Sequence, residues 1–179
     1  PNLNGIWQAL TTANWDLQTH ASRPAQAVVR NTLPSGDVPA APVLALGARG
    51  AVPGGLGVVE GEEIPYQPWA AAKHKENFEH SLIRDPEVKC YLPGVPRTTY
   101  MPYPFQILQT ASQIKIAYEF ANATRTVHMG KVEAPPVESW MGHSLGRWEG
   151  DTLVVDVTGQ VEQTWFDRAG NFHSDALHV

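Results

Sequence analysis

The run Trp165-Phe-Asp-Arg-Ala-Gly-Asn-Phe-His-Ser-Asp-Ala-Leu-His178 gathers an anion, a fixed cation, an amide, two imidazoles and a hydroxyl in one short stretch. If residues 171–179 are extended, alternation puts Asn171, His173 and Asp175 on one face and Ser174 and His178 on the other. His173 beside Asp175 is then a pair for general acid–base work, because a neighbouring carboxylate favours imidazolium and holds its pKa near or above neutral. In that scheme Asp175 orients His173, Arg168 holds an anionic or carbonyl oxygen, and Glu119 completes the catalytic candidates. Arg125, Trp165, Asn171, Tyr118 and Tyr103 are the candidate ligand contacts. Ser174 lacks a Gly-x-Ser-x-Gly elbow and faces away from His173, so it is a poor nucleophile.

Ordinary turn chemistry competes with this reading. In Asp167-Arg-Ala-Gly170 the carboxylate can bond its own following amides while Gly takes a positive φ, which accounts for Asp167, Gly170 and Asn171 without a ligand. A solvated histidine on a polar strand edge accounts for His173 equally well. A metal is not expected, since His173 and His178 face apart on a strand and ligands must converge on one ion at about 2.0–2.1 Å. The alternative metal set would recruit His128, His143 and His178 from separate strands. His74 and His80, six apart on a helix, point to different faces and read as solvent-exposed.

The elements that must position these residues are mostly strands. Phe105-Gln-Ile-Leu-Gln109, a turn at Thr110-Ala-Ser, and Gln113 to Phe120 alternate as a hairpin, with Ile114, Ile116, Tyr118 and Phe120 on one face. Thr124 to Met129 reads as a third antiparallel strand, with Arg125, Val127 and Met129 sharing a face. The Glu149-Gly-Asp-Thr turn between Arg147-Trp148 and Leu153-Val-Val-Asp-Val157 is the clearest hairpin signal. Upstream, Pro65 to Leu82 carries one helix, over about residues 67–83, with Ala71, His74, Phe78 and Leu82 on its apolar stripe. Residues of about 20–60 recur in Ala, Pro and Gly without a period and read as a surface arm, with Ala25 to Arg30 a short helix or strand. Tyr91, Tyr100 and Tyr103 sit in a Pro-rich stretch, where packing against the core is a stronger reading than lining a ligand mouth.

At 179 residues the chain is expected to form a single β-rich domain. With 13 basic against 18 acidic residues and no basic block, nucleic acid is not an expected partner. The apolar-leaning stretch from Val38 to Val59 is broken by Pro39, Pro42, Arg49 and Pro53, so no membrane span is expected. Cys90 alone cannot form an intramolecular disulfide. Phosphate-loop, dinucleotide and Cys-x-x-Cys motifs are missing, so no cofactor is expected.

Two resemblances add to this. Gly5-Ile-Trp7 resembles the Gly-x-Trp that opens the first strand of lipocalins and related calycin barrels, where the Trp plugs the closed end; the resemblance implies an antiparallel barrel. Asp85 to Arg97, Met101 to Ile107, Trp148 to Val157 and Thr164 to Ser174 together are similar to a family of uncharacterised exported bacterial proteins. That similarity implies an extracellular or periplasmic location and further strands after Val179, missing here or borrowed from a neighbour.

The expected architecture is therefore mainly β, an antiparallel barrel or strongly curved sheet over about residues 104–179 with one flanking helix and a Pro/Gly-rich arm. The expected function is binding a small, partly apolar organic or sugar-like molecule, with hydrolysis or isomerisation by His173 open. The alternatives are a homo-oligomeric assembly subunit that exchanges strands and a His-ligated divalent-metal protein.

Overall fold

The computed structural model describes residues 1–23, 28–29, 38–39 and 52–179. In chain order the elements are β1 (Gly5–Trp7), β2 (Val28–Val29), β3 (Val38–Pro39), α1 (Pro68–Glu79), α2 (Ser81–Arg84), α3 (Arg97–Tyr100), β4 (Phe105–Gln109), β5 (Gln113–Tyr118), β6 (Thr124–Met129), β7 (His143–Glu149) and β8 (Thr152–Thr158). They form two compact units. One comprises residues 1–11, 90–166 and 172–179, and the other residues 12–89 and 167–171.

The first unit is built on a six-stranded sheet in the order β1-β4-β5-β6-β7-β8. Period-two sequence dictates its register: Ile107 lies opposite Ile116, Ile116 opposite Arg125, and Ile114 opposite Val127, so alternate residues of every strand share a face. On that face Ile114, Ile116, Tyr118, Val127 and Val157 are buried with Val95, Ala123 and Met141, and Phe105, Ile107, Met129, Trp148, Leu153 and Val155 pack against them. Burying a side chain of the size of Val or Ile stabilises by about 1.5–3 kcal/mol, so Val127→Asp would disrupt this face.

The sheet is mixed and open, which corrects the barrel and the all-antiparallel pairing in the expectation of an antiparallel barrel or strongly curved sheet. β6 and β7 run parallel, with Val127 opposite Ser144 and His128 opposite Leu145. A parallel pair cannot be joined by a hairpin and needs a crossover of about a dozen residues. The link through Glu133-Ala-Pro-Pro-Val137 fills that role, and Ser139 within it bridges to Gln160 beyond the end of β8. The expected plug is also absent: Trp7 lies on an edge strand, is 48% exposed, and donates from Nε1 to its own Leu3 carbonyl at 2.9 Å. Phe120 leaves the expected strand, because the chain turns after Tyr118 into a short 3-10 segment over Phe120–Asn122.

The second unit carries α1 and α2, with Pro68 in the first turn of α1 where its missing N–H costs nothing. Its buried residues are Ala70 and Asn77, one position away from the expected apolar stripe of Ala71, His74, Phe78 and Leu82. The reason is polar. Asn77 Nδ2 donates to the Gly170 carbonyl at 3.3 Å, and Gly170 lies so close that a Cβ there would meet Asn77 Cβ at 2.8 Å. β2 pairs antiparallel with β3, and His20 and Arg23 bridge to Gly55 and Val52. The rest of the expected arm, including most of Ala25 to Arg30, lies outside the described residues. Among the described residues no helix is long and apolar enough to cross a membrane.

Candidate functional site

The expected strand over residues 171–179 is interrupted. Trp165 pairs with Phe172 in an isolated bridge, but Ser174 then starts a turn in which its carbonyl accepts from Leu177 N at 3.2 Å and its hydroxyl from Ala176 N at 3.3 Å. Ser and Asp side chains favour such turns, and this one takes Asp175 off the face of His173. Asp175 is exposed and makes no hydrogen bond or ion pair with His173. Thr164 is the partner instead. Its hydroxyl lies 2.6 Å from His173 Nε2, while Nδ1 lies 2.7 Å from the Ser174 carbonyl. A carbonyl only accepts, so Nδ1 carries the proton; in the neutral ring Nε2 then accepts from the Thr164 hydroxyl.

Burial disfavours the charged form of this imidazole. Burial pushes its pKa below the ordinary histidine value, against the opposing pull of the Ser174 carbonyl and the Glu162 charge. The expected rise from Asp175 is therefore replaced by a fall. Thr164 is 1% and His173 8% exposed. The Phe166 ring sits 5.2 Å from the imidazole, and a Cβ on Gly94 would come within 2.8 Å of Thr164 Oγ1. A hydroxyl–imidazole pair is chemically apt for nucleophilic work, but both members of this one are buried.

Arg168 and Asn171 belong to the second unit, where Asn171 with the amides of Leu17 and Ala169 forms a polar knot around Asp167. Asp167 is fully buried: Oδ1 accepts from Ala169 N at 3.0 Å and Asn171 N at 3.1 Å, and Oδ2 from Leu17 N at 2.8 Å and Asn171 Nδ2 at 2.6 Å. Gly170, at φ +87°, closes the loop in a conformation that other residues adopt only with strain. Arg168 points elsewhere, with a two-pronged bond to Glu87 at 2.8 and 2.5 Å and its guanidinium 5.5 Å over the Trp15 ring. The oxygen-holding role expected of Arg168 is thus taken by a protein carboxylate. His74, expected in solvent, is half-buried: its Nε2 donates to the Ala169 carbonyl at 3.1 Å and its ring stacks on Tyr66. His80 lies 2.9 Å through Nδ1 from the Glu76 carbonyl of its own helix.

The remaining candidates scatter over the first unit. Glu119 is exposed just past the end of β5. Arg125 is buried on the core face of β6, where its Nε donates to Ser144 Oγ at 2.8 Å. Burial raises the Tyr118 phenol above its ordinary value, and the Arg125 charge opposes that rise. Trp165 is buried, and Tyr103 packs on Phe120 at 5.5 Å. Tyr100 donates to the Phe166 carbonyl and Tyr91 packs against Trp140, so these tyrosines serve the connection they lie in.

The alternative metal set does not converge. His128 and His143 stack face to face at 5.4 Å, whereas a metal must lie in the plane of each ring along its nitrogen lone pair. His178 instead approaches Asp156 at 3.7 Å, and Asp156 is separated from His128 by Leu145, which faces both across the register. Among the described residues no group of three or more His, Cys, Asp or Glu could hold a metal ion.

Comparison with known proteins finds no matching family model, curated protein or solved structure. The site has to be read from geometry alone.

One concavity was missed by reasoning from sequence. An open groove of about 240 Å³ runs over the outer face of the sheet, lined by Gly130, Lys131, Leu145, Gly146, Arg147 and Asp156. Arg147 bonds Glu149 at 2.8 Å and also Asp156, and these two carboxylates hold its guanidinium above its ordinary pKa. Lys131 makes no hydrogen bond or ion pair with any described residue. Strand alternation puts Leu145 and Arg147 on one face, but only the parallel pairing of β6 with β7 brings Lys131 beside them.

Proposed function

We propose that the sheet-bearing unit binds a small, partly apolar organic ligand carrying a negative charge, in the groove over β6, β7 and β8. The observation that carries this reading is an apolar side chain, Leu145, set between the ammonium of Lys131 and the Arg147–Asp156 pair in a concave surface. Binding sites commonly combine an apolar floor with a few polar groups that fix orientation. The groove lies below the ~300–1,000 Å³ range typical of such sites, so a single ring bearing a carboxylate is the ligand size that suits it. The reading is of binding, not of turnover, because His173 is enclosed by Thr164 and Phe166. From the lipocalin resemblance only a strand-borne binding face is kept. Export to the periplasm or the exterior is part of the same proposal and rests on the resemblance through Trp148 to Val157 and Thr164 to Ser174.

The test is amide NMR with benzoate, 4-hydroxybenzoate and glucuronate, and with glucose as the uncharged control. Shifts at Leu145, Gly146, Arg147 and Asp156 with the acids, lost in Lys131→Glu, are expected. Unmoved groove amides with every compound at millimolar concentration would discard the reading.

A second reading, assembly by strand exchange, is favoured by the outer edge of β1, where Ile6 is 77% exposed. Light scattering across a concentration series tests it, and a monomer throughout excludes it.

A further inference from the structure

We infer that the Asp167 loop of the second unit is a proton-linked fastening, in which uptake of one proton at Asp167 tightens the hold of residues 167–171 on the segment around Asp16 and Leu17. Asp167 is fully buried, and each of its four hydrogen-bond donors is a neutral N–H; none is a cation. The adjacent cation, Arg168, is engaged by Glu87. A second carboxylate shares the same amide: Asn171 Nδ2 reaches Asp167 Oδ2 at 2.6 Å and Asp16 Oδ1 at 3.3 Å. Two carboxylates bridged by one neutral amide repel when both are ionised. The other titratable groups facing the loop are Tyr66, which donates to Asn171 Oδ1 at 2.9 Å, and His74, which donates to the Ala169 carbonyl.

Asn171 gives this network two arrangements. With Asp167 ionised, Nδ2 serves the carboxylates and Oδ1 accepts from Tyr66. With Asp167 protonated, a flip of the Asn171 amide lets Oδ1 accept the new Asp167 O–H while Nδ2 donates to the Tyr66 oxygen; the bond to Asp16 is given up, the repulsion between two ionised carboxylates is removed, and Leu17 N still holds Asp167. Amide orientation follows the hydrogen-bond network, so the proton selects between the two.

Burial and the Asp16 charge raise the Asp167 pKa to about 6, against the lowering effect of its hydrogen bonds. A folded-state pKa above the ordinary carboxylate value means that the closed loop binds the proton more tightly than the opened one. Closure is therefore most favourable at acid pH and weakens as pH rises through about 6.

Carbon-13 titration of the Asp167 carboxyl, combined with hydrogen exchange of the Leu17, Ala169 and Asn171 amides in the whole chain, tests the inference. A midpoint near 6 is expected, with the opening constant of those amides rising roughly 50-fold between pH 4 and pH 8 beyond the intrinsic exchange rate. Asp16→Asn, which keeps the turn bond to Gln18 N, should lower the midpoint. A carboxyl midpoint at or below the ordinary aspartate value, or an opening constant that does not change with pH, overturns the inference. Both readouts use the wild-type chain, so the result does not depend on any variant folding.

Discussion

Asp167 and His173 are six positions apart in sequence, both are buried and titratable, and the chain accommodates them in opposite ways. Asp167 is surrounded by donors only, which suits a charge, yet burial works against that charge. His173 is given one acceptor and one donor, the Ser174 carbonyl and the Thr164 hydroxyl, which suits a neutral ring. In each case the low-dielectric surroundings disfavour the ionised form, so the two groups link to pH with opposite sign. The difference teaches that a dense run of reactive residue types can be spent on fastening the chain, and that which partner each side chain meets decides its chemistry.

Removing the carboxylate should have the largest effect. Asp167→Ala leaves the buried N–H groups of Ala169 and Asn171 and the half-buried one of Leu17 unsatisfied, and a loss of about 3–4 kcal/mol at pH 5 is expected in urea denaturation. A loss below about 1 kcal/mol would mean that water replaces Asp167 and that the loop is held by Asn77 and Gly170 instead.

The pH dependence is the next largest effect. Asp167 contributes stability that is full below the ordinary aspartate pKa and is lost as pH rises through about 6, about 2 kcal/mol between pH 4 and pH 8. His173 does the reverse: its pKa is depressed, so its contribution is full above the ordinary histidine value and is lost as pH falls toward the folded-state value. Stability curves for wild type, Asp167→Asn and His173→Gln should therefore diverge on opposite sides. If the aspartate variant keeps the full alkaline decline, the contrast between the two sites fails.

The parts of this arrangement that were legible in sequence were local. Alternation plus turn residues located β4, β5 and β6, with the faces of β5 as far as Tyr118 and of β6, and Gly150-Asp151 marked the β7–β8 hairpin. Turn chemistry anticipated Asp167 bonding its own following amides with Gly170 at positive φ. What was not legible depended on distant partners. No periodicity in the proline-rich link reveals that β7 returns parallel to β6, so neither the open sheet nor the Lys131 groove could be foreseen. The helix face shifted because Asn77 answers a carbonyl far along the chain. The expected His173–Asp175 pair does not form because Ser174 and Asp175 lie in a turn, which ends the alternation on which that pair relied.

A smaller effect separates the Thr164–His173 pair from the Asp167 knot. Thr164→Val removes one donor and leaves Nε2 as the single unsatisfied atom, so about 1–2 kcal/mol should be lost, less than for the four-fold acceptor at Asp167. A thermal melt with no change would indicate that the imidazole has rotated to another partner.

The smallest effect is expected where the charges look best paired. Arg147 bonds both Glu149 and Asp156, but all three side chains are about half exposed. Water solvates them nearly as well when they are apart, and ordering the long side chains offsets what attraction remains. Arg147→Gln should therefore leave the urea midpoint where it was, in low or high salt, while weakening whatever acid binds beside Leu145. A clear salt-dependent drop in the midpoint would show that the outer face contributes to folding as the buried Asp167 and His173 do, and would remove the distinction between a surface proposed for ligand and an interior that fastens the fold.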